Sequence, residues 1–95
     1  MTTIGMHYDV IPGKEKTFTD AFAKVLNALK GMKGHVDSHL YEDVYNKGSF
    51  VIFSQWERKE DFDAFIGSEA FRSVANWGKE QILRGRPRHE VYLNQ

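Results

Sequence analysis

The sequence predicts one α+β domain with its strands and helices in the order β-α-β-β-α-β. Three observations lead there. Residues 3–11 alternate apolar and polar side chains, the period of a strand. Residues 18–29 carry apolar side chains at helical spacing. Two further strand-like runs are separated only by Asn46-Lys47-Gly48, which suits a short hairpin loop.

Taken in order, the first strand places Ile4, Met6, Tyr8 and Val10 on one face, with Gly5, His7 and Asp9 on the other. Pro12-Gly13 ends it, because neither residue suits a strand interior. The long helix carries Phe18, Phe22, Val25, Leu26 and Leu29 as a single apolar stripe, with charged residues around it. Gly31 and Gly34 stop that helix, since glycine takes the left-handed conformation at a helix end without steric cost. Strands follow over residues 35–45 and 49–57, with Gly48 at the hairpin position that needs positive φ. The second of these strands is apolar on both faces over its first half: Phe50 and Ile52 on one, Val51 and Phe53 on the other.

Phe62, Phe65 and Ile66 then mark a short helix closed by Gly67. Ser68 is a good N-cap for another, which carries Phe71, Val74, Ala75, Gly78 and Ile82 and ends at Gly85. Pro87 to Leu93 reads as the last strand, with His89, Val91 and Leu93 alternating against Glu90 and Tyr92. The compact solution is a four-stranded antiparallel sheet with every helix on one face. This is a ferredoxin-like sandwich, spanning residues 1–95 as a single domain.

Composition narrows the function. Lys and Arg number 13 against 13 Asp and Glu, so no basic excess points to nucleic acid. Without cysteine there is no disulfide, thiol nucleophile or zinc-thiolate site, which fits a cytoplasmic home. The start of the chain has no basic or apolar leader, and no apolar run approaches a membrane span. No glycine-rich phosphate loop or serine-nucleophile signature occurs.

The two-faced strand has a further consequence. Helices cover one face of the sheet, so one of these two apolar pairs would lie bare on the other, and soluble monomers avoid such patches. The simplest cover is the same face of a second copy, giving a homodimer through the sheet.

Several strings then carry a resemblance. Val10-Ile11-Pro12-Gly13-Lys14 leads into Phe18 and Phe22; Phe50 to Glu57 leads into Phe62 and Phe65; Ser68-Glu69-Ala70-Phe71 opens a helix. In these the chain resembles the antibiotic biosynthesis monooxygenase (ABM) family of the dimeric α+β barrel superfamily. The resemblance spans nearly the whole chain. It implies a pocket between sheet and helices, with Met6 and Tyr8 from the first strand and Phe22 and Leu26 from the long helix. Phe65, Phe71 and Ala75 would come from the later helices. It also implies cofactor-free oxygenation of phenols or quinols, or haem degradation. Where the haem-degrading branch has Asn, Trp and an axial His, this chain carries Met6, Phe65 and Ala75, so haem is not the expected cofactor.

Residue chemistry supplies the remaining candidates. The four histidines, His7, His35, His39 and His89, all lie on or beside predicted strands. The first and last strands are expected neighbours, so His7 and His89, with Asp9 or Glu90, are candidate metal ligands, although their spacing is no metal motif. His7 is also a candidate general base, with an interface or surface histidine as the ordinary alternative. The Tyr8 hydroxyl could hold a substrate oxygen, or simply be buried with one hydrogen bond. Asn76-Trp77 could orient and stack on a small ligand at the pocket mouth, or close the helix packing. Trp56, at a strand end, reads as packing.

The expected function is cofactor-independent monooxygenation of a small aromatic or quinol-like molecule. One alternative is a non-catalytic small-molecule-binding or stress-associated dimeric barrel protein. Another is a haem-binding relative without the usual helix histidine.

Overall fold

In the computed structural model, which describes residues 1–85 and 87–93, the order is β1 (Thr2–Asp9), α1 (Glu15–Leu29), β2 (His35–Glu42), β3 (Ser49–Trp56), α2 (Lys59–Ile66), α3 (Glu69–Gln81) and β4 (Arg88–Leu93). The strands form one antiparallel sheet in the order β2-β3-β1-β4. The expected ferredoxin-like architecture is therefore the observed one. No helix is long and apolar enough to cross a membrane among the described residues.

Register decides which residues share a face. On β1, Met6 stands opposite Ile52 of β3 and His89 of β4, while His7 stands opposite Val51 and Arg88. Even-numbered β1 residues thus face the helices and odd-numbered ones face away. The core lies on the helix side, where Ile4, Trp56, Phe62 and Leu29 are the largest fully buried side chains. Phe18 of α1 stacks on Phe50 at 4.8 Å, and Phe65 of α2 packs on Trp56 at 5.6 Å. These ring contacts fix α1 and α2 against β3.

Three boundaries differ from expectation, each for a local reason. β1 gives up its ladder after Asp9, and Val10 forms only an isolated bridge to Leu83. β2 stops at Glu42 instead of 45, because the Asp43 carboxylate accepts the backbone N–H groups of Tyr45 and Asn46 and folds the chain into a turn. α3 ends at Gln81, not Gly85. The segment after it is captured by the end of β1: Ile11 N–H donates to the Ile82 carbonyl and Arg84 N–H to that of Asp9, both at 2.8 Å.

Two glycines meet conformational demands. Gly48 has φ of 91° in the β2–β3 hairpin, as expected from its place there. Gly34 has φ of 82°, and a side chain on it would run into the Asp61 carboxylate. Gly34 thus lets the α1–β2 link pass directly against α2.

Candidate functional site

Between the helix face of the sheet and the helices lies a cavity of about 70 Å³. Its floor is Met6 and Tyr8 from β1 with Ile52, Ser54 and Trp56 from β3. Period-two alternation places all five on one face. Phe18 and Phe22 from α1, Phe65 from α2, and Phe71 and Trp77 from α3 form much of its walls. The buried Gly78 and Leu83 line its end near α3. A shallower groove between α1 and α3 shares Ala21, Val74 and Trp77 with the cavity. Val74 and Trp77 are 39% and 40% exposed, so the rim that the cavity shares with this groove borders solvent.

The cavity surface is almost wholly apolar, so each polar atom on it matters. The Tyr8 hydroxyl makes only a weak bond to the Met6 sulfur, at 3.8 Å. Burial pushes its pKa up to about 12, so it is a donor at neutral pH and not a base. Trp56 is completely buried, yet its indole N–H has no hydrogen-bond partner among the described residues. A buried donor left without an acceptor costs roughly 1–3 kcal/mol, a cost usually found where a ligand or water completes the bond. The Ser54 hydroxyl lies 2.8 Å from that of Ser38, and Ser38 lies 2.8 Å from Nε2 of His35. Burial lowers the His35 pKa, with the charge and backbone of Asp37 opposing.

Of the residues expected at the site, Met6, Tyr8, Phe22, Phe65, Phe71, Ala75 and Trp77 surround the cavity. Leu26 and Asn76 do not. Leu26 lies within the stretch of α1 that lines the cavity but off its lining face, which Phe18, Ala21, Phe22, Val25 and Leu29 supply, and Asn76 is exposed on α3. The pairing of His7 with His89 is also corrected, because the register puts them on opposite faces of the sheet. His89 stacks on Phe62 at 5.6 Å. His7 faces away from the cavity, so it does not serve there as a base, and its Nε2 is buried without a partner among the described residues. No cluster of three His, Cys, Asp or Glu residues suited to a metal occurs among the described residues.

The sequence reads Trp56 as packing alone and does not point to the serine pair. A signal for the serines exists: Ser54 sits between Ile52 and Trp56 on the core face, where alternation calls for an apolar residue. Only the register shows that Ser38 lies directly across from it.

The sequence profile of the antibiotic biosynthesis monooxygenase family matches residues 1–77. A candidate haem-binding protein of Halobacterium salinarum is 38% identical over 96% of this chain, and one of Natronomonas pharaonis is likewise 38% identical over 96%. The chain spans only 18% and 15% of those relatives' lengths. Among solved structures, a conserved protein from Methanosarcina mazei superposes with a TM-score of 0.89 at 17% identity, over 99% of this chain and 92% of that one. SnoaB, a cofactor-independent oxygenase from Streptomyces nogalater, superposes with a TM-score of 0.84 at 17% identity, over 99% and 92%. At such identities the superpositions speak for the fold alone.

Proposed function

The chain belongs to the antibiotic biosynthesis monooxygenase family, and from that premise we propose that it oxidises a small aromatic or quinol-like molecule with dioxygen, without a resident cofactor. One observation carries this reading: an almost wholly apolar cavity with Trp56 and Tyr8 in its floor, the Trp56 N–H buried without a partner among the described residues. Chemistry of this kind needs water excluded and a phenolic oxygen made anionic. The substrate anion then supplies the electrons to oxygen. Apolar walls provide the first condition, because they leave a charged oxygen dependent on the few donors present. Trp56 N–H and the Tyr8 hydroxyl are suited to hold that oxygen.

Size limits the ligand. The cavity of about 70 Å³ is smaller than the ~150 Å³ in which a single benzene ring is known to sit. A one-ring substrate therefore requires movement of the rim, where Phe22, Phe71 and Trp77 are only partly packed. Oxygen uptake with hydroquinone, followed by mass spectrometry of the product, tests the reading. Uptake in proportion to protein, abolished by Ala75→Trp, is the expected result. No uptake, with a small molecule retained in the native mass spectrum, would favour a non-catalytic binding protein instead.

Haem binding is a second reading, prompted by the names of the Halobacterium and Natronomonas relatives. Those names belong to proteins more than five times longer than the matched segment, given the 18% and 15% shares. The residues here do not fit the group. No histidine lines the cavity, Tyr8 resists becoming the phenolate that would ligate iron, and the volume is far below that of a macrocycle. Haemin added to the protein is expected to give no ligated Soret band; a sharp band at one equivalent would overturn this.

A further inference from the structure

A phenolic substrate in this cavity needs somewhere to send its proton, and the titratable side chains nearest at hand do not take it. Tyr8 is held protonated, His7 lies on the other face, and His89 does not line the cavity. We propose that Ser54, Ser38 and His35 form a proton relay that takes the substrate's hydroxyl proton out of the cavity. This rests on the reading of the cavity as a phenol-oxidising site and names the base which that reading lacks.

Geometry supports each link. Ser54 is 4% exposed and lines the cavity; Ser38 is 8% exposed and lies one strand away. His35, at the start of β2, is half-buried and retains contact with solvent. The two oxygen–oxygen and oxygen–nitrogen separations are both 2.8 Å, within range for direct proton transfer along hydrogen bonds. Two serines on a core face are costly unless each satisfies the other, and here the pair also connects the cavity to the histidine. Trp56 packs edge-on against the His35 ring at 5.2 Å, which holds the imidazole beside the sheet.

Each hydroxyl carries one proton, so the chain is ordered in one direction at a time. With His35 Nε2 unprotonated, Ser38 donates to it and Ser54 donates to Ser38. The Ser54 oxygen then presents a lone pair to the cavity, ready to accept from a substrate O–H. In the transfer, the substrate O–H bond breaks and its proton joins Ser54. The Ser54 proton passes to Ser38, and the Ser38 proton forms the Nε2–H bond of an imidazolium. Every hydrogen bond reverses, and Ser54 now donates to the phenolate. The imidazolium returns to neutral by giving a proton to water. Ser54 is the catalytic residue of the set; Ser38 and His35 act through it.

Asp37 on β2 is the charged group that acts on the ring; Glu57, just after β3, and Asp61 of α2 lie against the neighbouring Gly34, Glu57 donating its N–H to the Gly34 carbonyl. Only the neutral ring accepts a proton, so relay function rises with pH through the His35 pKa. That pKa lies below the usual histidine value, which leaves the ring receptive at neutral pH.

The experiment uses 4-nitrophenol, whose phenolate absorbs visible light, with the 95-residue chain. In the wild type, the bound probe should ionise at lower pH than in water. Ser38→Ala should raise that midpoint by about one pH unit, roughly tenfold in ionisation constant, as expected for losing a hydrogen bond to a charged group. Ser38→Thr, which keeps the hydroxyl, should restore it. His35→Gln alters a half-exposed position with little risk to folding and removes the titrating group. It should slow hydroquinone-dependent oxygen uptake by roughly 10²-fold and flatten its pH profile. If the probe binds but ionises identically in all variants, and the pH profile survives His35→Gln, the relay is wrong while the cavity reading stands. If the wild type does not bind the probe, the cavity reading falls and the relay with it.

Discussion

Tyr8 shows how one side chain can be placed by sequence while its protonation is not. Alternation placed it on the cavity face, and the register agrees. Its protonation depends on burial, which no local pattern encodes. The pKa of about 12 makes a prediction about stability. Between the unfolded value near 10 and that folded value, the unfolded chain releases the Tyr8 proton and the folded chain keeps it. Stability therefore falls as pH rises across this window, by roughly 2–3 kcal/mol for a two-unit shift. Thermal melts at pH 9 and 11 should show a larger loss in the wild type than in Tyr8→Phe, which has no proton to hold. Equal losses would mean that the hydroxyl is freely solvated. His35, Ser38 and Ser54 illustrate the opposite problem. They are far apart in sequence, and only strand register brings them to 2.8 Å separations.

Elements were legible because periodicity and punctuation are local. Every strand and helix was predicted, and Ser68 does cap α3, its hydroxyl accepting from Phe71 N–H at 3.2 Å. The same hydroxyl donates to the Phe65 carbonyl at 2.7 Å, tying the end of α2 to the start of α3. Ser68→Ala should cost about 1 kcal/mol, a fall in melting temperature of roughly 4–8 °C for a domain of this size. Because Phe71 rides on that first turn, ligand affinity should drop as well. Element ends were less legible: α3 stops at Gln81 because the end of β1 claims the chain beyond it, a tertiary contact. Gly34 was expected as a helix stop, but its second role, approach to Asp61, needed the fold. Gly34→Ala should destabilise by at least ~1–3 kcal/mol from backbone strain alone. A melting temperature within a degree of wild type would show that the loop re-routes without cost.

For the whole molecule, the open face of the sheet poses the remaining question. Tyr41, Phe53 and Tyr92 form a row of rings across it, with centroids 5.9 and 6.2 Å apart. Phe53 and Tyr92 lie directly over Gly5, where a side chain would crowd both rings. Around this apolar centre stand Asp37, His39, Arg88 and Glu90, a polar rim of the kind that borders protein interfaces. Tyr41 is 53% exposed and Tyr92 40% in the single chain, and the buried His7 Nε2 on the same face has no partner among the described residues. A second copy packed sheet to sheet would cover the rings and could offer that nitrogen a hydrogen bond. The chain is therefore expected to be a dimer at micromolar concentration, seen as a doubled mass in the native spectrum. Its solution-scattering radius should clearly exceed the single chain's 12.9 Å. Phe53→Glu puts a charge at the centre of the face without touching the core side of β3, so it should give a folded monomer with an unchanged circular dichroism spectrum. A wild-type radius near that of one chain would mean that the aromatic row shields itself, and that Val51 and Phe53 are tolerated in water.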